Sequence, residues 1–279
     1  MSSKGEVEYD DPRMSGEIPP DAAPRAADGG ARLRVMMVVS EAVPFAKTGG
    51  LADVSSALSV ALATLGHDVS LVLPRYREAG GAGEPAGRMT VTVGQVPYEV
   101  GLYAASLGRD VRVTLLDCPA LYDREGLYGA DGRDHPDNPT RFGLLVRAAL
   151  DLAAATEGPP SIVHAHDWQA ALGPVMLSAG LPGLERLRGS ASVQTIHNLA
   201  YQGVFPLGCL GALGLAEAPG VACTLTHKAG VSFLKGGIAY SDAVTTVSPG
   251  YAREILGAEL GRGLDASLRD RGSDLSGIL

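Results

Sequence analysis

The alternation of apolar and polar positions becomes regular from Arg34 onward. "RVMMVV" is a continuous apolar, β-branched run, the pattern of a strand buried on both faces of a parallel sheet. Leu51, Val54, Leu58, Ala61, Leu62 and Leu65 then recur at helical spacing, and Gly66 follows as a C-terminal cap. "VSLVLP", ending on Pro74, is the next buried strand, so these residues form one βαβ unit. Between Arg75 and Asp117 the period shortens to two. "MTVTVG", "YEVGLYAA" and "VRVTLLD" read as antiparallel or edge strands separated by Gly and Pro.

After the turn-rich "LYDREGLYGADGRDHPDNP" the α/β alternation resumes. It predicts a helix near Thr140–Thr156, a strand "SIVHAH", a helix from Trp168 and a strand "SVQTIH". A helix over much of Leu225–Tyr240 follows, then the strand "AVTTVS". Ser248-Pro249 opens another helix with Ser as N-cap and Pro in the first turn, and "LSGIL" reads as a strand just begun. The fold class implied is α/β, doubly wound around a mostly parallel sheet. Residues 31–257 read as one domain and 258–279 as a segment leading out of it. Ending on a strand with no following helix suggests the front part of something larger.

Composition narrows the function classes. The net charge is −8, and no basic block stands ready to match phosphates, which argues against a nucleic-acid partner. No apolar run approaches the roughly 18 residues of a membrane helix, so no membrane partner is expected. Cys118, Cys209 and Cys223 lack metal spacing and suit a reducing cytoplasm. Residues 1–30 are polar and rich in Pro, Gly and Asp, the composition of a disordered tail.

The chain has four lysines against nineteen arginines, so Lys47 in "FAKTGGLADV" stands out. In an open parallel sheet, ligands bind beyond the carboxyl ends of the strands, where helix N-termini point. Gly49 and Gly50 let a ligand approach the backbone N–H groups, and the helix behind them adds the positive end of its dipole. Lys47 contributes a mobile charge suited to phosphate. Two readings stand side by side: a diphosphate or sugar-phosphate cradle, or a plain tight turn. Neither the Walker pattern nor G-x-G-x-x-G is present. Glu41 and Asp53 flank the loop, and Asp53 also complements the helix dipole.

A second cluster ends the two following strands. His164 and His166 share a strand face, with Asp167 on the other face or in the loop. The histidine pair suits a zinc hydrolase only if a third ligand exists, and no HExxH or CxxC supplies one, so no metal is expected. His197 and Asn198 lie on the ligand side of the next strand, placed to bond a sugar hydroxyl or steady developing charge, or to make a structural bond to the loop. Tyr201, Gln202, Trp168 and Tyr122 add donors and flat faces on which sugars rest.

With those residues in place, the chain resembles the bacterial glycogen synthase and plant starch synthase family, glycosyltransferases of two-domain GT-B architecture. The segments that carry the resemblance are "SEAVPFAKTGGLADV", "LYDREGLYG", "VHAHDWQA", "TIHNLAYQGVFP", "FLKGGIAYSDAVTTVSPGYAREI" and "LSGIL", in the family's order. The resemblance implies a Rossmann-like, acceptor-side N-terminal catalytic domain. It implies transfer of glucose from ADP-glucose to the non-reducing end of an α-1,4-glucan such as glycogen, with retention and without a cofactor or metal. By the same resemblance Lys47 binds the nucleotide sugar, His197 and Asp167 are catalytic, Asp53 lines the cleft, and Tyr122 and Tyr128 contact the acceptor. The family continues past "SGIL" into a nucleotide-binding domain. An incomplete, nearly inactive half is therefore the expectation, with a non-catalytic glucan-binding module as the alternative.

Overall fold

The computed structural model describes residues 31–79 and 82–279, so the proposed tail at residues 1–30 lies outside the described residues. Nine strands build the main sheet: β1 (Arg34–Val38), β2 (Asp68–Pro74), β3 (Glu84–Val93), β4 (Val96–Leu107), β5 (Val111–Asp117), β6 (Ile162–His166), β7 (Ala191–Ile196), β8 (Ala243–Thr246) and β9 (Leu275–Gly277). They run in the order β9-β8-β7-β6-β1-β2-β5-β4-β3. All pairings from β9 to β5 are parallel, and β4 is antiparallel to both β5 and β3. Of the three strands with the shorter hydrophobic period, β3 is the edge strand and β4 alone runs against the sheet; β5, expected as an antiparallel or edge strand, is an interior strand parallel to β2, because Val111, Val113 and Leu115 pack into the core on one face.

The continuous apolar strands are buried on both faces. Val35, Met37, Leu71 and Leu115 pack on one side, and Met36, Val38, Val163 and Ala165 on the other. α1 (Gly50–Thr64) covers the first side and α2 (Asn138–Ala155) the second, where Phe142, Leu144, Leu145 and Leu150 are fully buried. Truncating one of those leucines to alanine removes about 2–5 kcal/mol of stability.

Three further local predictions change. Val54 and Leu65 of the α1 stripe are 41% and 45% exposed, and the helix seats itself through Leu51, Ala52, Ser55 and Ser59. Small residues bring this helix close to the sheet, Leu58 and Leu62 pack on it partly buried, and Val54 and Leu65 are left at the edges of the contact. The long helix expected over Leu225–Tyr240 is split. A helix ends at Leu225, a hairpin pairs Thr226–His227 with Gly230–Ser232, and α3 begins at Phe233 and runs to Tyr240. The chain reverses at Lys228, which turns left-handed at φ 53°, and Gly230 lets the returning strand pass close to its neighbour: a Cβ there would sit 2.2 Å from the Phe205 carbonyl oxygen. Ser232 then caps α3 by accepting the Lys235 N–H. Finally, the helix expected from Trp168 is two short pieces, Asp167–Ala170 and Leu172–Ala179. Elsewhere the signals hold. Gly66 ends α1 at φ 94°, Ser248 accepts the Tyr251 N–H ahead of Pro249, and Leu275–Gly277 joins the sheet parallel to β8.

Among the described residues, no helix is long and apolar enough to cross a membrane.

Candidate active site

β1, β6 and β7 are neighbours at the middle of the sheet, and their carboxyl ends deliver Glu41, Asp167 and His197 to one place. A cavity of about 840 Å³ opens there, walled also by Gly49, Gly50 and Tyr128. The loop after β7 contributes Asn198, Tyr201 and Gln202 to the same wall.

On the glycine-loop side, Glu41 is buried at 2% exposure. Its carboxylate accepts the Thr48 hydroxyl at 2.7 Å, the Gly49 N–H at 3.3 Å, the Thr48 N–H and the Tyr128 hydroxyl. With its proton committed to Glu41, the Tyr128 oxygen accepts from Ser40 at 2.8 Å. Burial, with Tyr76 and Glu41 nearby, holds the Tyr128 phenol well above its usual range. The predicted cradle is thereby revised: the protein's own carboxylate already takes two of the loop's amides. What stays open to an anion is the first turn of α1, whose N–H groups have no intrahelical acceptor.

Lys47 does not line the cavity. It is 54% exposed and pairs with Asp53 at 2.7 Å, on the outside of the loop. Tyr122 is withdrawn altogether: it is 1% exposed, its hydroxyl donates to the Arg141 carbonyl, and its ring meets Tyr76 edge-on. A tyrosine between apolar neighbours at 121 and 127 is drawn into the core when a buried carbonyl can take its hydroxyl. Trp168 reaches the wall but is 8% exposed, wedged among Tyr128, Phe142 and Phe205. Gly203, at φ 57°, lies so close that a Cβ would come within 2.6 Å of the indole. The open flat face is Tyr201, 66% exposed.

The histidine side is built from backbone geometry. Asp167 turns left-handed at φ 53°, a conformation aspartate tolerates, and this aims its carboxylate across to the next strand. There it accepts the His197 N–H at 2.7 Å, with the Asn198 N–H as a second donor. Burial pushes the Asp167 carboxyl up to about 7 despite those two bonds. His166 Nδ1 meets His197 Nε2 at 3.0 Å, and His164 Nε2 meets the Thr195 hydroxyl at 2.6 Å. Burial lowers His164 and His197 to about 4 and holds His166 well below its usual range, so all three imidazoles are neutral near pH 7. One ring nitrogen of each of His164 and His166 is thus taken by an internal hydrogen bond. Among the described residues, no group of three or more His, Cys, Asp or Glu is arranged to hold a metal ion.

Two charged contributors were not expected. Asp134 comes from the hairpin Gly129–Ala130/Arg133–Asp134, and Lys228 sits at φ 53° in the hairpin that interrupts the predicted helix. Lys228 is the one Lys or Arg lining this cavity among the described residues, with Nζ 3.5 Å from the Gln202 amide oxygen. Its scarcity as a lysine and the Ala-Gly after it were the available signals.

Comparison with known proteins adds the following. Residues 34–270 match the family described as starch synthase catalytic domain. The glycogen synthase of Anaeromyxobacter dehalogenans (strain 2CP-C) is 44% identical over 250 residues, covering 88% of this chain and 52% of that protein. The glycogen synthase of Myxococcus xanthus (strain DK1622) is 44% identical over 254 residues, covering 88% and 53%. The chain therefore spans about half the length of the curated relatives it matches. A solved catalytic domain of starch synthase IV from Arabidopsis thaliana, bound to ADP and acarbose, superimposes with a TM-score of 0.78 at 29% identity. That match covers 89% of this chain and 52% of the other.

Proposed function

The chain belongs to the starch synthase catalytic domain family, and on that premise we propose that its protein transfers glucose from ADP-glucose to the non-reducing end of an α-1,4-glucan, retaining configuration. Residues 31–257 form the Rossmann-like, acceptor-side catalytic domain in this reading, and 258–279 lead out of it. The cavity that joins the Gly49–Gly50 turn, Asp167 and His197 within the matched span carries the proposal. The ADP and acarbose of the similar starch synthase IV domain support a nucleotide donor and a glucan acceptor.

As the bond to ADP breaks, negative charge gathers on the diphosphate and positive charge on the sugar carbon. The first-turn amides of α1 and Lys47, released from Asp53, receive the former. Fixed donors of this kind act without a metal. Asp167 and His197 flank the sugar; the carboxylate favours developing positive charge and the imidazole bonds a hydroxyl. Glu41 holds the loop that presents the amides, Asn198 and Gln202 add polar contacts, and Tyr128 and Tyr201 meet the glucan. The reaction needs no nucleic acid or membrane, and its place is the cytoplasm.

The full gene product, given ADP-[14C]glucose and glycogen, is expected to incorporate label that β-amylase releases as maltose, showing addition at non-reducing ends. Retardation in glycogen-containing gels with no incorporation would replace this reading with a binding module. Faster transfer from UDP-glucose would overturn the donor assignment.

A further inference from the structure

The row of buried imidazoles contains a polar atom that the proposed reaction leaves unexplained. His166 is completely buried, and its Nε2 has no hydrogen-bond partner among the described residues. Its other nitrogen, Nδ1, lies 3.0 Å from His197 Nε2, and the two rings are near-parallel at 20°. His197 Nδ1, by contrast, has no partner among the described residues, and it is not among the polar atoms sealed from solvent. His197 itself lines the cavity.

A neutral imidazole carries one N–H and one lone pair, so the contact between the two rings can be made in only two ways. If His197 donated from Nε2, His166 would have to carry its own proton on Nε2, leaving a buried N–H with nothing to accept it. If His166 donates from Nδ1, its orphaned atom is a bare lone pair. Buried N–H groups without acceptors are the rarer and costlier defect. We propose that His166 is a positioning residue: it donates from Nδ1 to His197 Nε2, and so compels His197 to carry its proton on Nδ1 and offer that N–H to the cavity.

The neighbours hold the His166 ring for this task. His164 packs on it with centroids 4.2 Å apart, and is itself tied through Nε2 to the Thr195 hydroxyl at 2.6 Å. Thr195 continues to Thr245 at 2.6 Å, so the brace crosses β6, β7 and β8. A histidine free in water carries its proton mainly on Nε2, so this arrangement reverses the ordinary preference. The consequence is chemical. At the cavity edge His197 is a hydrogen-bond donor to an oxygen lone pair, such as that of a sugar hydroxyl, and not a base toward substrate. Only that choice of recipient rests on the proposed function; the tautomer itself does not.

Nitrogen-15 chemical shifts separate protonated from bare imidazole nitrogens, so the test is a long-range 1H–15N spectrum of the histidine-labelled chain at pH 7.5. It is recorded without sugar or nucleotide, so it decides the tautomer whether or not the full gene product transfers glucose. His197 signals are identified by their loss in His197→Gln. The expected result is a protonated Nδ1 and a bare Nε2 on both His166 and His197. In His166→Asn the side-chain amide can donate in place of Nδ1, and His197 keeps its proton on Nδ1. A wild-type His197 protonated on Nε2 overturns the proposal, as does a wild-type His166 protonated on Nε2. If the asparagine variant does not fold, the wild-type spectrum still decides.

Discussion

Two walls face each other across the cavity, and they are made in opposite ways. The histidine wall is buried, and it is held by bonds between adjacent parallel strands: Asp167 to the His197 backbone, His166 to the His197 ring, His164 to Thr195. The glycine-loop wall is exposed from Lys47 to Gly50 and has a single internal anchor, the Glu41 carboxylate. An anion that bound the loop's amides would compete with that anchor, whereas nothing entering the cavity competes for the bonds behind His197. One wall is thus a fixed template and the other an adjustable clasp, an arrangement suited to the gripping and release of a donor in the proposed reaction.

The largest expected effect lies in the template. Asp167→Asn keeps the acceptor for the His197 N–H and removes the charge. Transfer by the full gene product should fall about 100-fold if the carboxylate steadies positive charge at the sugar. Stability should move the other way. The Asp167 carboxyl is raised from 3.8 to about 7, so between those values the folded chain holds a proton that the unfolded chain does not. Its stabilising contribution is full below 3.8 and is lost as pH rises through 7. Relative to the wild type, the asparagine variant should therefore gain up to about 4 kcal/mol between pH 4 and pH 8. His164 and His197, lowered from 6.5 to about 4, act in the opposite sense, losing stability as pH falls from 6.5 toward 4. Their contribution is common to both chains and cancels in the difference. Urea denaturation of both across this range measures it; a pH-independent difference would break the picture of a buried, charge-averse template.

The clasp should respond less. Glu41→Gln exchanges charge-assisted bonds for neutral ones and turns an amide N–H₂ toward donors, costing about 1–3 kcal/mol. It should also leave ADP affinity equal to or higher than the wild type's, because a competitor for the loop's amides and a like charge have been removed. Calorimetric titration with ADP checks this. A loss of ADP binding of tenfold or more would make Glu41 part of the fixed template and erase the distinction between the walls.

Sequence reasoning read these two walls unequally. The positions of β1, β6 and β7 were legible because strands buried on both faces leave continuous apolar runs, and the residues at their carboxyl ends then fall on the ligand side by topology alone. Glu41, Asp167 and His197 were placed in one cavity by that rule. Tyr122 was not, because a tyrosine in a turn-rich loop carries no periodicity to say whether its hydroxyl meets water or a buried carbonyl. Lys228 escaped because helical spacing over Leu225–Tyr240 outweighed one Ala-Gly turn, and the close approach of Gly230 to Phe205 is a tertiary contact. Nor could the loop's internal occupant be read. That Glu41 bonds the amides of Thr48 and Gly49 depends on a chain reversal over seven or eight residues, with no short-range signature.

The smallest effect tests the outer rim of the clasp. Lys47 and Asp53 pair at 2.7 Å, but their side chains are 54% and 56% exposed. Water screens such a pair, and ordering two side chains offsets much of the attraction, so coupling of no more than about 0.5 kcal/mol is expected from a double-mutant cycle with Lys47→Met and Asp53→Asn. Asp53→Asn should leave folding stability within about 0.5 kcal/mol of wild type, with a slight loss because a carboxylate in the first turn of α1 favours the helix dipole. The informative contrast is in ligand binding. If Asp53 only parks a lysine that must swing to an incoming diphosphate, Asp53→Asn should tighten ADP binding slightly while Lys47→Met weakens it. A stability coupling above about 1 kcal/mol, with ADP affinity unchanged in both variants, would mean that the pair is a structural latch. The anion would then rest on the amides alone, because a lysine locked to its partner contributes no charge to the cavity.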